Sequence, residues 1–161
     1  MRSLALTLVA VLAACSSEPT EEERAAAVAE VEAHQTPPAQ PLELGAIRYR
    51  EIEKHELYGA GCSFAPAGGG LAAVALAMPD TGHIIVDGEM LTLAADKGSA
   101  ELPYLARSKY DGTEHSMELD LDQDAGEEVG AEVSDYPATL TIRNARDQIV
   151  YNQSGIAQCG V

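Results

Sequence analysis

The sequence predicts a mainly β fold for residues 42–161, a small antiparallel barrel or sandwich of about six to eight strands. Three observations point that way. Short apolar stretches alternate with turn residues throughout this region. Two β-rich runs, residues 83–86 and 89–93, are separated by Asp87-Gly88 alone, a strong signal for a two-residue hairpin turn. Residues 114–121 alternate strictly, with Met117, Leu119 and Leu121 on one face and Glu118 and Asp120 on the other.

Before that region the chain has a different character. Met1 and Arg2 open it with positive charge, and residues 4–14 are apolar except for Thr7. The run is long enough for the core of an export signal and too short to cross a bilayer. It ends in Leu12-Ala13-Ala14-Cys15, followed by Ser16-Ser17. This string resembles the lipobox of bacterial lipoproteins, whose cysteine is diacylglycerylated and becomes the new N-terminus. The resemblance implies cleavage after residue 14 and attachment to the membrane through lipid on Cys15. With Ser16 rather than Asp after the cysteine, it also implies the outer membrane.

Residues 15–41 read as a tether. Thr20 followed by Glu23 forms a capping box, and the acidic first turn suits the positive end of a helix dipole. Residues 21–34 therefore favour helix, although their apolar side holds only alanine and valine. Disorder is the alternative for so thin a face. Pro37, Pro38 and Pro41 stop the helix and extend the chain.

In the β region, residues 71–78 form an apolar run ending at Pro79-Asp80, and residues 129–133, 138–142 and 148–151 continue the strand pattern. Residues 144–147 supply a further turn. The stretches 59–62 and 68–70 lack both the lysine of a phosphate loop and the dinucleotide fingerprint, and read as tight turns. The aromatic content is low, one Phe and six Tyr with no Trp, so the core is expected to be light.

Three cysteines are present. With Cys15 assigned to lipid, Cys62 and Cys159 remain, and in an oxidising compartment they are expected to form a disulfide. A metal site would need further ligands nearby.

Cleavage removes Arg2 from the ten Lys and Arg, leaving nine against 26 Asp and Glu, a formal charge of −17. Such a surface repels nucleic-acid phosphates, which excludes nucleic acid as a partner, and favours cationic proteins or divalent ions. No catalytic set is evident, and no enzyme activity or cofactor is expected. His34, His55, His83 and His115 are scattered, with no zinc-binding pair and no nucleophile elbow. Asp120, Asp122 and Asp124 have the spacing that opens a calcium loop, but Ala125 stands where that loop needs glycine. A charged hairpin tip is the competing reading.

Residues 106–112 place Arg107, Ser108 and Lys109 beside Tyr110 in an otherwise acidic region. Ser108, Lys109 and Tyr110 are the candidate partner-binding loop. From Cys62 to Cys159 the layout is similar to the periplasmic lipoprotein inhibitors of C-type lysozyme. Residues 87–93 look like that family's hairpin, and residues 108–112 like a shortened form of its Ser-Gly-x-Arg-Tyr loop. The resemblance implies a small disulfide-stabilised barrel and a serine, here Ser108, entering the lysozyme cleft. The family's second motif, an aromatic followed by Lys-Gly, is replaced here by His115-Ser116-Met117. Two further expectations stand beside lysozyme inhibition: a non-enzymatic binding or structural module of the envelope, and a metal-dependent module.

Overall fold

The computed structural model describes residues 19–35, 37–70 and 72–161. The segment read as an export signal, and Cys15 read as the lipid site, lie outside them. The chain divides into a unit ending at Pro38 and a compact unit Ala39–Val161.

In the first unit, helix α1 spans Glu21–Gln35. It begins as the sequence predicts. The Glu23 amide donates to Thr20 Oγ1 at 3.2 Å, and the Thr20 amide donates to Glu23 Oε2 at 2.8 Å. These reciprocal bonds satisfy two amides that a helix start leaves unpaired, and they hold the Glu23 carboxyl below its ordinary pKa.

The second unit is a closed antiparallel barrel. Its strands are β1 (Leu44–Gly45), β2 (Gly61–Pro66), β3 (Ala75–Ala77), β4 (Thr81–Val86), β5 (Glu89–Ala95), β6 (Lys109–Asp111), β7 (His115–Leu121), β8 (Glu127–Gly130), β9 (Val133–Asn144) and β10 (Ile149–Gly160), with helix α2 (Tyr49–His55) between the first two. Eight of them form a ring in chain order, β2-β3-β4-β5-β6-β7-β9-β10, which closes where β10 pairs β2. β1 and β8 lie off the ring, β1 against β4 and β8 against β9. Of the two architectures left open by the sequence, the protein is therefore the barrel. Closure gives each strand of the ring a neighbour on both sides, over part of its length, where a sandwich of this size would leave whole edges open.

Cys62 and Cys159 are register partners on the closing seam and form the expected disulfide, with their Cα atoms 4.0 Å apart. The cystine thus fastens the first strand of the ring to the last.

Alternation along each strand fills the interior. Phe64, Ile84, Met117, Leu119, Leu140 and Ile142 are all essentially inaccessible, as is Tyr110. Gly82 is the close-approach point. A Cβ there would lie 2.6 Å from the Met117 methyl and 2.7 Å from the Tyr110 ring, so glycine makes room for the largest side chain in the core. The hairpin turn at Asp87-Gly88 has φ of 51° and 81°, the doubly left-handed form that matches strand twist.

Several boundaries differ from the sequence-based expectation. Residues 129–133 are not one strand, because the chain turns between Gly130 and Val133 with Glu132 left-handed. Of the apolar run, the described residues 72–78 supply only the three-residue β3. Residues 120–128 are not a hairpin tip. β7 and β8 both lie along β9, at its residues 138–144 and 133–135, so the intervening segment is a kink in one interrupted strand. Helix α2 has no buried side chain and no apolar stripe, so hydrophobic periodicity could not reveal it.

Candidate functional site

The barrel wall is uneven, and the unevenness builds the site. β3 and β6 are three residues each, while their neighbours β4 and β5 have six and seven. Beside β4 the shortfall is made good by the chain itself. β1 pairs Leu44 with Val86 and Gly45 with Ile85, just past the point where β3 ends. Beside β5 nothing equivalent happens among the described residues. β6 pairs β5 only at Ala94 and Ala95, then the chain turns back through Thr113 and Glu114 into β7.

Residues 89–93 therefore have β4 on one side and a cleft on the other. The cleft has a volume of about 500 Å³ and is lined by residues 90–93 of β5 and by residues 112–115 of the β6–β7 turn. Its floor belongs to the core. Leu93 is 2% exposed, and Gly112 packs so closely that a Cβ would lie 2.5 Å from a Leu93 methyl. His115 shares the inward register of Met117 and Leu119, and its Nδ1 is buried with no hydrogen-bond partner among the described residues.

Outside the wall, a second concavity of about 730 Å³ runs between α2 and the β4–β5 hairpin, and Met90 borders both. Arg50, Lys54 and His55 line it from α2, facing Ile85 and Glu89. On the outer face of β4 lies the one buried polar residue of the described chain, His83. Its ring nitrogens meet Thr81 Oγ1 at 2.9 Å and Thr92 Oγ1 at 3.3 Å. Burial, and secondarily the nearby His55, lowers its pKa below the ordinary histidine value.

The proposed partner loop is arranged differently from the sequence-based expectation. Residues 108–111 do not protrude; they belong to the barrel wall. The Ser108 amide donates to Ala100 O and its carbonyl accepts from the Leu119 amide, both at 2.9 Å. Lys109 is exposed but faces Glu118 at 3.5 Å across the β6–β7 pair. Tyr110 is wholly buried. Its hydroxyl donates to Met78 O at 2.8 Å and accepts from the Arg107 amide at 2.7 Å. A ring that fills the core and ties two loops together cannot touch a partner, which removes Tyr110 from the candidate loop.

Residues 96–108, between β5 and β6, fold beside the cystine and send Leu102 and Ala106 into the core. At their turn Tyr104 and Leu105 are both left-handed, a strained pair for residues with side chains. The Tyr104 hydroxyl donates to Glu132 O at 2.6 Å and helps to hold that turn.

Among the described residues no group of three His, Cys, Asp or Glu is arranged to hold a metal ion, and the carboxylates of residues 120–128 do not converge. The sequence-based search passed over Met90 and Thr92, because nothing in their side chains marks a strand edge. The only available sign was length, a seven-residue β5 followed by turn residues and a much shorter β run.

The chain was compared with family models, with curated proteins and with solved structures, and matches none of them.

Proposed function

We propose that the protein is an outer-membrane lipoprotein whose acidic barrel is a non-enzymatic binding module held at the membrane by lipid on Cys15. The observation that carries the binding part is the cleft at β5, where the strand edge at residues 89–93 is left unpaired beside the barrel core. Unpaired N–H and C=O groups along a strand edge are a ready template for pairing with another chain. The anchoring part rests on the Leu12-Ala13-Ala14-Cys15 string and the Ala-rich, proline-ended tether behind it. Metabolic labelling of the full chain in a bacterial host with an alkyne fatty acid checks the anchor. Wild type should be labelled and Cys15→Ser should not, and equal labelling of the two would overturn it.

A second reading is inhibition of a C-type lysozyme. A closed barrel with its cystine on the seam accords with what the resemblance to that inhibitor family implies, and the acidic surface would steer a basic enzyme inward. Ser108 is bound into the wall on both sides, so the contact would not run through a protruding serine loop. Titration of the mature chain into a cell-wall lysis assay tests this reading. It expects inhibition that survives the Ser108→Ala, Lys109→Ala double substitution, and no inhibition at micromolar protein ends it.

A further inference from the structure

We propose that the β5 edge is a strand-addition site for an extended, basic polypeptide segment, which completes the barrel wall beside β5 as β1 completes it beside β4. The proposal rests on the binding reading above and names its occupant.

The backbone sets the geometry. A two-residue turn makes Val86 and Glu89 a mutually hydrogen-bonded pair, and such pairs recur at every second position of an antiparallel ladder. Ile84–Leu91 and Gly82–Leu93 are therefore bonded pairs, and Met90 and Thr92 direct their N–H and C=O groups away from β4. Further along, Ala94 meets Asp111 of β6 on that side. Met90 and Thr92 have no such neighbour among the described residues. An incoming strand antiparallel to β5 would continue the line of β6 and take up these four groups.

The protein shows that so short a segment suffices. β1 contributes two paired residues at the equivalent place, and its neighbour Ile47, bridged to Ala73, is 4% exposed. The β5 edge is longer, with five residues or roughly 17 Å of strand. Alternate side chains of the incoming strand would cover Leu91 and pack beside His115 on the inner side.

Charge selects the occupant. Glu114 lines the cleft, Glu89 begins β5, Asp87 precedes it in the hairpin turn and Asp111 ends β6, and all four are exposed. No Lys or Arg lines the cleft itself; Arg50 and Lys54 border the adjoining concavity, where they face Glu89. A second copy of the chain would bring these carboxylates against their own equivalents, which like-charge pairing disfavours. A segment with lysine or arginine at alternate positions would pair with them instead.

The test uses the mature chain in detergent micelles and an acetylated Lys-Val-Lys-Val-Lys-Val-Lys amide. Two control peptides accompany it, one with Glu for Lys and one with proline at alternate positions and the same charge. Amide hydrogen exchange at Met90 and Thr92 is the readout. The basic peptide is expected to bind saturably and slow both amides. The proline peptide should bind roughly tenfold more weakly, through lost backbone bonds. Glu89→Lys with Glu114→Lys, both exposed and outside the core, should weaken binding while leaving the unfolding midpoint in place.

Equal binding of the proline peptide overturns strand addition, because attraction of charge alone would then explain the result. Equal binding of the Glu peptide overturns the basic occupant. Unchanged exchange at Met90 and Thr92 under saturating peptide overturns the site. Slowing that rises with protein concentration alone would assign the edge to a second copy. Fatty-acid labelling at Cys15 is read separately, so this site and the anchored-lipoprotein reading can fail independently.

Discussion

At the scale of single residues, His83 shows how burial turns a common surface side chain into a structural one. Two threonine hydroxyls hold its ring, and burial holds its pKa below the ordinary value. The folded protein therefore prefers the neutral ring, whereas the unfolded chain takes up a proton near pH 6.5. The stability this residue contributes is complete above that pH. It is lost as pH falls from about 6.5 toward the folded pKa and levels off below it. Urea unfolding followed from pH 7.5 down to 5 should show the loss in wild type, and His83→Gln, which keeps a hydrogen-bonding amide but cannot titrate, should flatten it. Parallel curves for the two proteins would show that His83 is not its source. Asp80, held below its ordinary pKa by Lys97 at 2.6 Å, acts at lower pH, as do Glu23 and Glu51.

Elements in this protein are defined by their neighbours more than by their own residues. β7 was legible because Met117, Leu119 and Leu121 face the core and their neighbours do not. The β4–β5 hairpin was legible because its turn chemistry is local. β2 and the second half of β10 were not, since residues 61–66 and 152–160 carry little apolar alternation and become strands by pairing with distant segments, β2 with β3 and β10, and β10 with β2 and β9. Gly155 marks the tightest part of that seam. A Cβ there would collide with Ala65 O and lie 2.8 Å from Pro66 Cα, so the two backbones approach where no side chain fits. Gly155→Ala should cost about 1–3 kcal/mol by overpacking, seen as a lower urea midpoint with an unchanged slope. An unchanged midpoint would mean that the seam yields more readily than its geometry implies.

For the molecule as a whole, closure is the central fact, and the cystine lies on it. The two cysteines are 97 residues apart in sequence and directly opposite in the sheet, so the bond restricts nearly all of the barrel in the unfolded state. Its removal by Cys62→Ala with Cys159→Ala should lower stability by about 2–5 kcal/mol. Amides of β2 and β10 should exchange faster than those of β7 and β9. Uniform acceleration over the barrel would instead indicate that the seam opens only with global unfolding. The exposed ion pairs, such as Lys109 with Glu118, are the sort that add little stability. The acidic surface acts on encounter with other molecules, through its field, and says nothing about the fold.

By itself the sequence determined whatever depends on neighbours along the chain or on simple elimination. The capping box at Thr20 and Glu23, the Asp87-Gly88 hairpin, the inward face of β7 and the pairing of Cys62 with Cys159 are of this kind. So is the mainly β class, which follows from the spacing of short apolar runs. Only the tertiary structure decided that the strands close into a barrel, that Tyr110 fills its core, and that His83 is buried between Thr81 and Thr92. It alone decided that β5 outruns β6 and leaves an edge unpaired. Each of these depends on which distant segments share a ladder and on how far each strand extends before it turns. Those are properties of paired backbones, and a side-chain pattern read along one strand carries no record of the length of its partner.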